Sequence, residues 1–310
     1  MKTFLKLTAL FSFLFFASCD KDPALTDAML DGDTIFDPSL YTPEDFLVSA
    51  KYPNPSADDL DRHILIALHG YSATTFEWQE FADWSVDSNY RISQTLLDGH
   101  GRDYNSFKAS TWEDWVASAK REFETLENLG YTKISFAGSS TGATILLQLM
   151  HSGYFDTHIK PKHMFLVDGI VVSSIKTQSI ANLVGPMLVY VETEQSATED
   201  SLWYRFRPQE TIRELNELMK EGRKELESGV TAPAGTRVRV FHSKNDPTAS
   251  SSSAVLMYKG LKHADGSNIE VQMLDSDIHV FTRLALRSGV TSAQIANQQL
   301  AFIQMAERLN

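Results

Sequence analysis

A single cysteine, Cys19, stands in 310 residues, so no disulfide braces the fold and a buried apolar core must hold it together. Basic residues are few, 28 Lys and Arg against 40 Asp and Glu, for a formal net charge of −12. That balance argues against nucleic acid or an anionic lipid surface as a partner. No apolar run reaches the roughly 20 residues that a membrane-spanning helix needs, and no internal repeat or low-complexity array is visible. Metal-ligand patterns are missing as well. His151, His158 and His163 sit loosely around a loop with no cysteine or carboxylate in ligand register. The run DGDTIFD at 31–37 puts Ile35 where an EF-hand loop needs a ligand and lacks the loop's glycine, which argues against calcium. The expectation is a protein without metal or cofactor.

What is present is enough apolar material, 43% of residues, for one large α/β core or two modest ones. Residues 1–18, MKTFLKLTALFSFLFFAS, join two lysines to a short apolar run, which is how a secretory signal is built. The residues Phe16-Ala17-Ser18-Cys19 resemble the lipobox of a bacterial lipoprotein, with Phe16 where leucine is usual. That resemblance implies that Cys19 is lipidated and becomes the mature N-terminus. Acyl chains there would tie the protein to a membrane of the bacterial cell envelope while the domain stays in water. Residues 19–60 then read as a lipidated N-terminus, an acidic, turn-rich tether and a loosely packed lead-in.

From 61 to 310 the pattern is that of one α/β domain. Short apolar runs alternate with helical stretches of ten or more residues, the signature of a mostly parallel sheet flanked by crossover helices. The expected strands are HILIALHG, KISFAG, HMFLVDGIVV, TRVRVFHS and NIEVQML; the expected helices are WEDWVASAKREFETLENLG, TGATILLQLMHSG and SAQIANQQLAFIQMAERL. About sixty residues, 173–235, interrupt this rhythm and are too many for a loop. Within them Ile212, Leu215, Leu218 and Met219 form one helical stripe, so the interval reads as a helical cap insertion, with the charges of ETIRELNELMKEGRKELE on its solvated face. Trp78, Trp84, Trp112, Trp115 and Trp203 read as core and cap packing.

One stretch carries chemistry. Gly138-Ser139-Ser140-Thr141-Gly142 fits G-x-S-x-G with Ser140 at its centre, and it lies between an alternating strand and an apolar helix. At such a bend the central serine adopts strained backbone geometry, and the residues two away must lack side chains so that strand and helix can approach. The helix N-terminus beneath it offers unpaired N–H groups to a developing anion. A serine hydroxyl needs a base, and the base an acid to orient it. His279 follows the last expected strand and would reach the same sheet edge. Two acids compete to orient it: Asp246, ahead of Pro247 at the end of TRVRVFHS, and Asp168, at the end of HMFLVDG.

The chain order Ser140, Asp246, His279 resembles that of the α/β hydrolases from about residue 60 to the C-terminus. His69-Gly70-Tyr71 after the first strand is similar to the HG motif of that superfamily, and LLDGHGRD places His100 and Gly101 where bacterial carboxylesterases and monoacylglycerol-lipase-like enzymes carry a structural GHG turn. The resemblance implies the α/β-hydrolase fold and a serine hydrolase acting on carboxylic esters. Ser140 would be the nucleophile, Asp246 and His279 the other two members of its triad, and the Tyr71 and Thr141 amides the oxyanion hole. A small-molecule or lipid-like ester would be its partner. A binding or scaffold lipoprotein that keeps the fold without turnover is the reading from another class, and thioesterase or peptidase chemistry would use the same residues.

Overall fold

Five-residue strands buried on both faces need apolar side chains at every position rather than at alternate ones. β1, Ile64–Leu68, meets that demand as ILIAL with all five residues buried. The computed structural model describes residues 42–175, 190–193, 199, 202–285 and 287–310. Residues 1–18, Cys19 and the start of the tether lie outside them, as does much of 173–201. Five further strands join β1: β2 Arg91–Thr95, β3 Ile134–Ser139, β4 His163–Val167, β5 Arg237–Ser243 and β6 Glu270–Leu274. They form one sheet in the order β6-β5-β4-β3-β1-β2, parallel throughout.

β2 is the strand that local pattern does not announce. Its sequence RISQT is polar, yet Ser93, Gln94 and Thr95 are buried. Tertiary partners satisfy two of these side chains: Ser93 donates to Glu122 Oε1 at 2.5 Å and accepts from the Val48 amide at 3.0 Å, and Gln94 donates to the Thr75 carbonyl at 2.9 Å. Buried polar groups with partners cost little, so pairing with β1 outweighs weak strand propensity.

The long helices start where their caps place them. α1, Trp112–Asn128, opens on a Thr111–Asp114 capping box, and the C-terminal helix, Ser292–Leu309, opens on a Thr291–Gln294 box. Between them in the chain lie α2, Thr141–His151; α3, Gln209–Ser228; and α4, Ser252–Gly260; the C-terminal helix is α5. The side chains of β1 divide by alternation. Ile64, Ile66 and Leu68 join Trp115 and Phe123 of α1, Leu146 of α2, Leu215 of α3 and Met257 of α4 in the larger core. Leu65 and Ala67 join Trp78, Phe81 and, from α5, Phe302 and Met305 on the other face. The layers are helix, sheet, helix.

Within the expected cap, Tyr190–Glu192 and Phe206–Pro208 form an antiparallel ribbon. α3 buries Ile212, Leu215, Leu218 and Met219 on one stripe, with Gly222 so close to α2 that a Cβ there would sit 2.9 Å from the Thr144 methyl. Two expectations are corrected. The lead-in is docked at three points, Pro43, Val48 and Ser49: Val48 is in the core and Ser49 donates to Glu122 Oε2 at 2.5 Å, because the buried glutamate needs donors. Trp84 is 44% exposed and lies on the surface beside Phe81 and Phe302, at the open end of a six-residue helix.

Candidate active site

β3 ends at Ser139 and α2 begins at Thr141, which leaves Ser140 alone at the junction with φ 50° and ψ −113°. A non-glycine residue adopts positive φ only when its surroundings enforce it. Here the Ser140 amide donates to the Val167 carbonyl at 2.9 Å, and its own carbonyl accepts from Ala143 at 3.2 Å. Both flanking glycines are obligatory. A Cβ on Gly138 would lie 2.5 Å from the Gly142 backbone, and one on Gly142 would lie 2.5 Å from the Leu68 carbonyl oxygen. Strand, bend and helix therefore close to a distance that no side chain permits.

His279 reaches this bend from 139 residues further along the chain. Its Nε2 is 3.0 Å from Ser140 Oγ, and its Nδ1 is 2.8 Å from Asp246 Oδ2. A carboxylate opposite Nδ1 fixes the proton on that nitrogen, which leaves the Nε2 lone pair facing the serine hydroxyl. The second oxygen of Asp246 accepts from the Thr248 and Ala249 amides at 2.7 and 2.8 Å. Burial alone would raise the Asp246 carboxyl, but the charge and hydrogen bond of His279 and these two amides outweigh it and hold the group below the usual carboxylate range. The acid thus stays ionised where the imidazole needs it.

Asp168, the competing acid, makes no hydrogen bond to His279. Its Oδ1 accepts from the Ser243 amide at 2.7 Å, and its Oδ2 from the Val280 amide at 2.9 Å and the Phe281 amide at 3.4 Å. Asp168, His242 and Asp246 each place one potential ligand atom within 4.8 Å of the others. Amides donate to both oxygens of Asp168 and to Oδ1 of Asp246, and His279 takes Oδ2 of Asp246, so the cluster belongs to the acid's setting rather than to a metal cage.

The HG segment lies against the bend. A Cβ on Gly70 would sit 3.0 Å from Ser140 Cβ and 3.5 Å from its Oγ. His69 fixes the turn by donating from Nδ1 to the Gly70 carbonyl at 2.8 Å and accepting at Nε2 from the Leu97 amide at 3.0 Å. Burial pushes this imidazole down to about 4, with the charge of Glu77 opposing, so it stays neutral. Neither the Tyr71 nor the Thr141 amide donates to an acceptor among the described residues. The Tyr71 ring points into the packing beneath the cap, where its hydroxyl meets Thr211 Oγ1 at 2.7 Å. His100 is fully buried among His69, Phe107 and Trp115, and burial holds it well below the usual imidazole range.

Local pattern missed Glu77, which lies in a one-turn 3-10 helix, Thr75–Trp78, too short to show periodicity. Its Oε1 accepts from the Gly70 amide at 2.7 Å and from the Ser139 hydroxyl, and its Oε2 lies 3.9 Å from Arg283 Nε. One buried carboxylate thus ties the HG turn, the bend and the segment after His279 together. Glu77 comes seven positions after Gly70, and only the folded segment between them brings the two into contact.

A parallel sheet with the serine bend after β3, the acid after β5 and the histidine after β6 identifies the architecture. This is the α/β-hydrolase fold. No family model matches the chain. Among curated proteins it is similar to a thermostable monoacylglycerol lipase of Bacillus sp. (strain H-257), 23% identical over 222 residues, which span 70% of this chain and 83% of that protein. Among solved α/β-hydrolase structures it resembles a soluble variant of monoglyceride lipase from Saccharomyces cerevisiae, with a TM-score of 0.63 and 14% identity over 80% of this chain and 86% of that one. A structure described with LipS and LipT, two metagenome-derived lipolytic enzymes, gives a TM-score of 0.61 and 17% identity over 79% of this chain and 94% of that one.

Proposed function

We propose that this α/β-hydrolase-fold protein is a serine hydrolase that cleaves carboxylic esters through an acyl-enzyme on Ser140. The observation that carries the reading is the unbroken relay of 3.0 and 2.8 Å from Ser140 Oγ through His279 to Asp246, set on a strained bend. As Ser140 Oγ attacks the ester carbonyl carbon, its proton passes to His279 Nε2. The Tyr71 and Thr141 amides take the oxyanion, and Asp246 stabilises the imidazolium. Collapse of the tetrahedral intermediate expels the alcohol, which leaves with the proton from Nε2. Water then repeats the sequence on the acyl-enzyme, with His279 as base.

The similarity to a monoacylglycerol lipase makes a glycerol monoester the first substrate to try. Ser140→Ala should lower kcat on a short-chain chromogenic ester by about a million-fold, as loss of the nucleophile does in serine proteases. Retention of most of the rate by the purified variant would refute the assignment. A fluorophosphonate probe should label Ser140 in the wild type and nothing in the variant, whereas a scaffold protein would stay unlabelled.

The lipobox-like FASC run supports a lipid anchor at Cys19 and a place at the bacterial cell envelope. Cells fed a tagged fatty acid should incorporate it into the full chain and not into Cys19→Ser. Equal labelling of both would remove the anchor.

A further inference from the structure

Val280 follows His279 directly and sits at φ 57°, and Asp168 itself sits at φ 44°. A β-branched residue at positive φ is a genuine outlier that local sequence does not favour, so a tertiary contact must hold it. Val280 is buried, and its amide hydrogen bonds to Asp168 Oδ2 at 2.9 Å. The other oxygen of the same carboxylate takes the amide of Ser243, the last residue of β5, three residues before Asp246. One fully buried side chain therefore grips both segments that deliver the acid and the base to Ser140.

We infer that Asp168 is a positioning residue whose two carboxylate oxygens set the separation between the Asp246 turn and the His279 loop. The inference rests on the hydrolase reading above and adds a residue to it. Three donors point at the two oxygens, and each arm needs an acceptor, which an ionised carboxylate supplies and a carboxamide supplies only once. Burial, and then the neighbouring charge of Asp246, push the Asp168 carboxyl up, while His242, His279 and the Ser243 amide pull it back. Its charge also acts on the imidazole. Among the described residues, the charged and titratable groups near His279 and its segment are Asp246, Asp168, His242, Arg283 and Arg287, which donates to the His279 carbonyl.

Asp168→Asn keeps the size of the side chain but turns an amino group either toward the Ser243 amide or toward the Val280 and Phe281 amides. The loop or the turn then moves by a fraction of an ångström to an ångström. A displacement of that size costs on the order of a hundred-fold in kcat. KM should stay within a few-fold, because no substrate contact changes. With a buried negative charge gone, the imidazolium is less favoured, so the acid limb of the kcat/KM profile should move to lower pH.

The test measures kcat per fluorophosphonate-titrated site, KM and the pH profile for the wild type and for folded Asp168→Asn. A lower melting temperature with unchanged kcat and an unmoved acid limb overturns the inference, because a merely structural residue would behave that way. If Asp168→Asn does not fold, the comparison is made between Val280→Gly and Val280→Gly/Asp168→Asn, since glycine accepts φ 57° without help. An equal kcat and acid limb in that pair overturns the inference, and so does failure of both Asp168 variants to fold. A wild type that the probe does not label refutes the hydrolase reading, whereas a labelled wild type whose kcat per site and acid limb Asp168→Asn matches refutes this inference alone.

Discussion

Glu225 sits on the buried face of α3, 7% exposed, with its Oε2 lacking a hydrogen-bond partner. Burial raises its carboxyl to about 7, with Glu221 adding to the rise and Gln148 and Lys224 opposing it. An acid whose folded value lies above its unfolded value binds more protons when folded between the two. Stability therefore falls as pH rises from about 4.5 to about 7 and levels off beyond. The gap corresponds to about 3 kcal/mol at full burial, and to roughly half of that after solvent screening at the open end of the side chain is discounted. Glu225→Gln removes the ionisable group with little change in volume. Urea unfolding at pH 5, 7 and 8.5 should show the variant level with the wild type at pH 5 and more stable by about 1–2 kcal/mol at pH 8.5. A difference that stays flat across this range, or that favours the wild type at alkaline pH, would refute the reasoning. The group lies on the helix that covers α2, so the effect should appear in stability before it appears in kcat.

Gly142→Ala places a methyl 2.5 Å from the Leu68 carbonyl oxygen, which forces β1 and α2 apart; expression should yield little soluble protein, and any folded fraction should have lost probe labelling at Ser140. Thr111→Ala removes the Thr111 half of the capping box of α1 and should cost about 1 kcal/mol in denaturant unfolding with kcat unchanged, since the side chain of Thr111 bonds only within the cap, to Asp114. Glu77→Gln keeps the side chain's size but either turns its amino group toward both the Gly70 amide and the Ser139 hydroxyl, which share Oε1, or turns it toward the Arg283 guanidinium, which then faces a donor in place of a carboxylate. Ester turnover should fall while the wild-type circular dichroism spectrum persists, and full activity in the variant would show that Glu77 does not hold the HG turn.

Much of the architecture was legible because it is written in local pattern. ILIAL is apolar at every position and HMFLV at all but its first, as strands covered on both faces require, and ISFA alternates into the bend. RISQT was not legible, since its polar residues become acceptable only after Glu122 and the Val48 amide meet them. The lead-in around Val48 and Ser49 was missed for the same reason, its partner lying 73 residues away on α1.

The sequence by itself determined where a serine could be lifted onto a bend, because Gly138, Ser140 and Gly142 are neighbours and their steric demands are local. It also determined the order along the chain of the five sheet strands other than β2, and of α1, α2, α3 and α5 among them. Only the tertiary structure decided that Asp246 rather than Asp168 faces the imidazole. Both acids follow parallel strands at the same sheet edge, and spacing along the chain says nothing about which carboxylate points at His279 and which is consumed by the Ser243 and Val280 amides. Glu77 belongs to the same class. Distances between residues far apart in sequence are set by the packing of the whole sheet, which no local pattern contains.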